Sequence, residues 1–144
     1  LLGDPDFLIV DEPTIGLDPE ERIRFRTLLS QLLAARRERV VILSTHLVGD
    51  VSWSDRIGVL NGGRLVFEGT AAELAARAAG QTWVLLARPE NLPALRRTAR
   101  ITAVQESAPG QVQVRMVGKP LPGVVPAVPS LEDGCVAVVG GEEV

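Results

Sequence analysis

The sequence predicts an α/β fold built on a parallel sheet with flanking helices, followed by a small α+β module. Two short runs, Phe7 to Val10 and Val40 to Leu43, are apolar at every position rather than alternating. Unbroken apolar runs of this length suit strands covered on both faces. Between them lies a segment with helical periodicity, so the order is strand, helix, strand, the βαβ unit of a parallel sheet. After Gly80 the texture changes to short strand-like runs with accumulating prolines. A chain of 144 residues, 46% of them hydrophobic, has room for one ordinary core, or one core and a small appended unit.

Taken in order, Phe7 to Val10 is the first strand. Asp18 then stands as a helix N-cap, Pro19 as the first helical residue and Glu20 and Glu21 as first-turn acids, with Asp18 and Glu21 at capping-box spacing. In that helix Phe25, Leu28, Leu29, Leu32 and Leu33 follow the i, i+3, i+4, i+7, i+8 pattern of a face packed on the sheet. Val40 to Leu43 is the second strand and runs into Ser44, Thr45 and His46. Ile57 to Leu60 and Arg64 to Phe67 flank Asn61, Gly62 and Gly63 as a β-hairpin. Thr70 and Glu73 form a second capping box, opening an Ala-rich helix that ends near Gly80. Beyond it, "TWVLLA", "ARITAVQES" and "QVQVRMVG" read as strands, with "ENLPALRRT" as a helix between the first two. "KPLPGVVPAVPS" is too proline-rich for a central strand or a helix and reads as an extended connector. The expected organisation is therefore residues 1–80 and residues 81–144.

Composition narrows the function. With 3% aromatic residues and no Tyr there is little from which to build a base-stacking surface, and a net charge of −3 opposes binding to a phosphate backbone, so no nucleic-acid partner is expected. A single cysteine, Cys135, forms no intrachain disulfide and fits a reducing compartment. No apolar run approaches the roughly 20 residues of a membrane-spanning helix. The chain opens on Leu1 and its only Met is Met116, so it reads as a fragment.

Asp11 and Glu12 stand side by side at the end of the first strand. Adjacent carboxylates there cost repulsion and desolvation, a cost that makes sense where a cation or a proton-transfer task sits between them. Neighbours on a strand point to opposite faces, so the two have different tasks available: one holding a divalent metal, the other orienting or deprotonating a water. Both strands end in polar residues at the same edge, outside the carboxyl ends of parallel strands, where α/β proteins bind ligands.

The series "FLIVDEP", "GLDP" and "STH" resembles the ATPase subunits of ABC transporters: their Walker B motif, D-loop and switch-histidine loop, in order and at similar spacing. "DRIGVLNGGRLVFEGTAAEL" resembles the hairpin and helix that follow the switch loop, and the tail with "PSLED" at 129–133 resembles the C-terminal extension of ATPases serving ABC-2 type exporters. The resemblance implies a partial P-loop NTPase-type parallel sheet, with residues 1–80 as the C-terminal half of a nucleotide-binding domain. It implies Asp11 as the Mg²⁺ ligand, Glu12 as the catalytic carboxylate polarising the attacking water, and His46 as a catalytic residue contacting the γ-phosphate of ATP. Gly16, Leu17 and Asp18 would fall at the interface with a second ATPase subunit, in a homodimer or heterodimer. The implied partner is a transmembrane permease, and the implied location is cytoplasmic, at the inner face of the membrane through that permease.

Other parts of the family pattern are missing. A phosphate-cradling loop needs Gly-x-x-x-x-Gly-Lys-Ser/Thr, and the only Lys, Lys119, is followed by Pro120. No Q-loop or signature motif precedes Asp11; "LNGGR" at 60–64 is similar to the signature but follows His46 and joins two strand-like runs, so it reads as a hairpin turn. The segment from His46 to Asp55 and Arg56 is shorter than usual by one residue, which would rotate a helix face by about 100 degrees. Two rival readings stand beside an ATPase part that is incomplete alone. One is a non-catalytic remnant or regulatory module that binds no nucleotide. The other, a separate metal-dependent hydrolase using Asp11, Glu12 and His46, is disfavoured because no second His or acidic ligand cluster appears.

Overall fold

The computed structural model describes residues 5–36 and 38–140; the other residues of the two expected segments lie outside it. The chain divides into two compact units, Leu1–Leu47 and Val48–Val144. The expected boundary at Gly80 falls inside the second.

In the first unit, β1 (Phe7–Val10) pairs in parallel with β2 (Val40–Leu43), in a register that sets Val10 beside Leu43. The crossover is α1 (Pro19–Ala35), whose capping box is complete. Glu21 N–H donates to Asp18 Oδ1 at 2.8 Å, and Asp18 N–H to Glu21 Oε2 at 3.0 Å. Helix α1 buries Leu29 and half-buries Phe25, Leu32 and Leu33, as its periodicity predicts, but Leu28 is exposed. The βα return is tied by Arg39, which donates to Pro5 O at 2.9 Å and to Leu32 O at 2.7 Å.

The expectation of strands covered on both faces is corrected here. Phe7 and Ile9 on β1, and Val40 and Ile42 on β2, are exposed, while Leu8, Val10, Val41 and Leu43 are partly covered. One helix can cover only one face of the pair, so the alternation that the sequence conceals appears in the burial. Parallel pairing among the described residues is confined to these two strands; the other sheets are antiparallel. The fold is thus mixed α/β with several sheets.

In the second unit, β3 (Ile57–Asn61) and β4 (Arg64–Gly69) form the predicted hairpin, with Gly62 and Gly63 at positive φ in the turn. Helix α2 (Ala71–Ala76) follows Thr70 with both halves of its capping box made. A four-stranded sheet comes next, in the order β6 (Arg100–Ala108), β7 (Gln111–Val117), β5 (Thr82–Ala87), β8 (Val125–Pro126). Helix α3 (Leu92–Thr98) links β5 to β6 and tolerates Pro93 because that residue lies in its first turn, where its missing N–H has no intrahelical partner. The expected connector is extended but contributes β8, a two-residue edge strand, the position at which Pro126 costs no ladder bond.

Nothing in the local sequence after Pro129 predicts a helix, yet α4 spans Leu131–Gly140. It returns to the hairpin side, where Leu131, Cys135 and Val138 pack against a core of Ile57, Phe67 and Leu74. Gly134 makes the approach possible, since a Cβ there would overlap the Leu74 carbonyl in α2. Asp133 anchors the helix start. Its fully buried carboxylate accepts from Thr102 Oγ1 at 2.6 Å, Arg115 Nε at 2.8 Å and Ser130 N–H at 2.8 Å. Burial raises the Asp133 pKa, but the bonds from Arg115, Thr102 and Ser130 and the Arg115 charge outweigh it, holding the group below the ordinary carboxylate range. "PSLED" is thus a structural clamp: Ser130 and Asp133 bond each other at capping-box spacing while Asp133 also pairs with Arg115.

Candidate functional site

The parallel register of β1 and β2 brings the chain after Val10 and the chain after Leu43 to one edge. Ser44 N–H donates to Val10 O at 3.0 Å, extending the ladder by one step. The backbone then turns sharply at Glu12, which has φ 45. A non-glycine residue in this left-handed region costs on the order of 1–3 kcal/mol. Glu12 N–H donates to Ser44 O at 3.2 Å and to Ser44 Oγ at 2.9 Å, bonds available only because β2 runs alongside. The turn closes with Ile15 N–H on Glu12 O at 3.2 Å and Leu17 N–H on Thr14 O at 3.3 Å. Thr14, within this turn, is buried.

This turn places the side chains. Asp11 is exposed and accepts a hydrogen bond from Ser44 Oγ. Glu12 is half-buried, and both of its carboxylate oxygens lie within hydrogen-bond reach of His46 Nδ1, at 3.0 and 3.1 Å. A carboxylate only accepts, so Nδ1 carries the ring proton and, in the neutral ring, Nε2 is the bare nitrogen. His46 is largely exposed. The sequence therefore named three residues, Asp11, Glu12 and His46, that the fold collects at the carboxyl end of a parallel strand pair. It missed Ser44, the hydroxyl that touches both acidic residues; the signal was its place directly opposite Asp11 in a parallel register.

Gly16, Leu17 and Asp18 sit apart from this cluster, on the approach to α1. Gly16 has φ 76, with open space where a Cβ would stand. Leu17 O accepts from Arg22 Nε at 3.2 Å, and Asp18 is committed to its cap. These contacts account for Asp18 as a helix start.

Among the described residues no group of three or more His, Cys, Asp and Glu could hold a metal ion. One carboxylate with a neighbouring hydroxyl fits the donor set of Mg²⁺, which is commonly held by one or two carboxylates together with substrate phosphates rather than by an all-protein cage. Asp11 fits such a shared site.

No protein-family model matches the chain. Curated proteins do. It is 33% identical over 153 aligned positions to the Nod factor export ATP-binding protein I of Rhizobium sp. (strain N33), an alignment covering 99% of this chain and 50% of that protein. It is 34% identical over 87 positions to the linearmycin resistance ATP-binding protein LnrL of Bacillus subtilis (strain 168), covering 60% of this chain and 27% of that one. It is also 34% identical over 79 positions to the probable multidrug ABC transporter ATP-binding protein YbhF of Escherichia coli (strain K12), covering 55% of this chain and 13% of that one. Its homologues are ATP-binding proteins of ABC transporters, each matched over part of its length. The chain spans half or less of the length of these relatives. Among its described residues no helix is long and apolar enough to cross a membrane.

Proposed function

We propose that this chain is part of the ATP-binding and ATP-hydrolysing subunit of an ABC exporter, with residues 1–80 as the C-terminal half of its nucleotide-binding domain and residues 81–144 as its extension. The observation that carries the reading is the Glu12 to His46 contact of 3.0 Å beside Asp11, at the end of a parallel strand pair. In this reading β1 and β2 are two strands of a P-loop NTPase-type parallel sheet whose other members lie outside this chain. Asp11 would hold Mg²⁺ jointly with phosphate, and the ion would supply charge neutralisation at the phosphate oxygens.

Glu12 accepts a proton from, or orients, the water that attacks phosphorus, with its backbone fixed by the left-handed turn. His46 serves as the phosphate contact. With Nδ1–H given to Glu12, it can donate from Nε2 only as an imidazolium, or after the ring leaves Glu12. The same contact therefore holds the carboxylate and the ring in register until phosphate arrives. Gly16, Leu17 and Asp18 face a second ATPase subunit, and the permease supplies the link to the membrane from the cytoplasmic side.

The site is half built, because the Lys and backbone cradle that make most phosphate contacts are not in this sequence. Calorimetric titration of the chain with Mg-ATP tests this point, the expected result being no binding in the micromolar range. Micromolar affinity would show a nucleotide site of another kind. In a longer protein carrying the phosphate-binding loop, Glu12→Gln should lower turnover by roughly two to four orders of magnitude while ATP still binds. Unaltered turnover would remove Glu12 from the mechanism.

A further inference from the structure

We propose that Ser44 is the positioning residue of this site, a single hydroxyl that orients the Asp11 carboxylate and fixes Glu12 in its left-handed turn. The inference rests on the reading of Asp11 and Glu12 as the metal and water residues, and assigns a role to a side chain which that reading leaves idle.

The Ser44 hydroxyl has one proton and two lone-pair directions. Its proton goes to Asp11 Oδ1, and one lone pair accepts the Glu12 N–H at 2.9 Å. The backbone of the same residue makes two further ties, donating to Val10 O at 3.0 Å and accepting the Glu12 N–H at 3.2 Å. One residue of β2's extension therefore touches the last strand residue of β1 and both acids that follow it. The shared Glu12 N–H matters because Glu12 has no glycine-like freedom at φ 45. Without the hydroxyl, the Glu12 N–H keeps only the longer bond to the Ser44 carbonyl at 3.2 Å, and the turn that holds the Glu12 carboxylate beside His46 is loosened. Donation to Asp11 Oδ1 leaves the second carboxylate oxygen as the one available for a cation. The hydroxyl thus assigns different tasks to the two oxygens of Asp11. Ser44 is itself exposed at a strand end, so burial does not demand a hydroxyl there. An apolar or small side chain would fill the position, and hydrogen bonding is what the serine adds.

The test compares Ser44→Thr with Ser44→Val, two β-branched side chains of the same shape that suit a strand end and differ in the hydroxyl. In the isotope-labelled chain, amide exchange at Glu12 is read against that at Leu29, which reports on α1. Val should accelerate Glu12 exchange roughly two- to tenfold relative to Leu29, with shifted Asp11 and Glu12 resonances, and Thr should stay within about twofold of wild type. In a longer protein carrying the phosphate-binding loop, Val should lower kcat roughly five- to tenfold with ATP affinity little changed, and Thr should restore it. Equal Glu12 exchange in the Val and Thr variants would overturn the inference, as would equal kcat in a protein whose Glu12→Gln variant is inactive. If Glu12→Gln itself leaves hydrolysis unaltered, the catalytic reading fails first, and the exchange data alone then decide whether Ser44 holds the turn.

Discussion

Replacing Asp133 by Asn should destabilise residues 48–140 markedly. The Asp133 side chain is 0% exposed and that of Arg115 24%, and the pair is joined at 2.6 Å between Arg115 Nη2 and Asp133 Oδ2. Asn keeps the size but removes the charge and leaves one acceptor oxygen where there were two: with that oxygen on Arg115 and Ser130 N–H, the amide N–H₂ faces Thr102 Oγ1, which must turn from donor to acceptor. Breaking a fully buried pair costs about 3–5 kcal/mol, and the partial exposure of Arg115 lowers this to about 2–4 kcal/mol. For a unit of this size that is a fall in Tm on the order of 10–20 °C. The assay is thermal and urea unfolding followed by circular dichroism, with Arg115→Met alone and combined with Asp133→Asn to close a double-mutant cycle. A coupling above about 1 kcal/mol is expected, because the double variant buries no orphaned charge. The sign with pH follows from the depressed pKa. Asp133 is held below its ordinary 3.8, so its stabilisation is fully present above that value and is lost as pH falls through the lower folded-state value. A loss under 0.5 kcal/mol for Asp133→Asn, or stability that does not decline in acid below about pH 4, would show that the clamp is incidental.

Gly134→Ala should cost about 3 kcal/mol or more, since the new methyl meets the backbone carbonyl of Leu74 rather than a movable side chain; stability within 1 kcal/mol of wild type by urea unfolding would mean that α4 can slide on α2. Asp18→Ala should cost about 0.5–2 kcal/mol by loss of one half of the α1 capping box, measured in the same way, whatever its part at an interface. Removing residues 81–144 should melt the β3–β4 hairpin and α2 in the remaining chain. It strips Leu131, Cys135 and Val138 from Ile57, Phe67 and Leu74, and each large side chain so exposed forfeits about 1.5–3 kcal/mol. Retained amide protection at Phe67 and Leu74 after the deletion would show that residues 48–80 fold without the tail.

The sequence by itself determined the elements whose causes are local. The α1 and α2 starts are legible because Asp18 with Glu21, and Thr70 with Glu73, satisfy helix-end N–H groups within four residues of chain. The hairpin is legible because Gly62 and Gly63 supply the positive φ its turn requires. Asp11, Glu12 and His46 were legible as a set because a βαβ unit brings both strand ends to one edge wherever it forms. What only the tertiary structure decided are the matters in which distant residues meet. An unbroken apolar strand reads the same whether one or both of its faces are covered, so the exposure of Phe7, Ile9, Val40 and Ile42 depended on how many helices pack there. Helix α4 has glycines and β-branched residues that local propensity disfavours, and it is held by Asp133 reaching Thr102 and Arg115 across the sheet. Ser44 was a polar residue after a strand until the parallel register set its hydroxyl between Asp11 and the Glu12 N–H, because hydrogen bonds across more than thirty residues of chain are fixed by packing and not by neighbours in sequence.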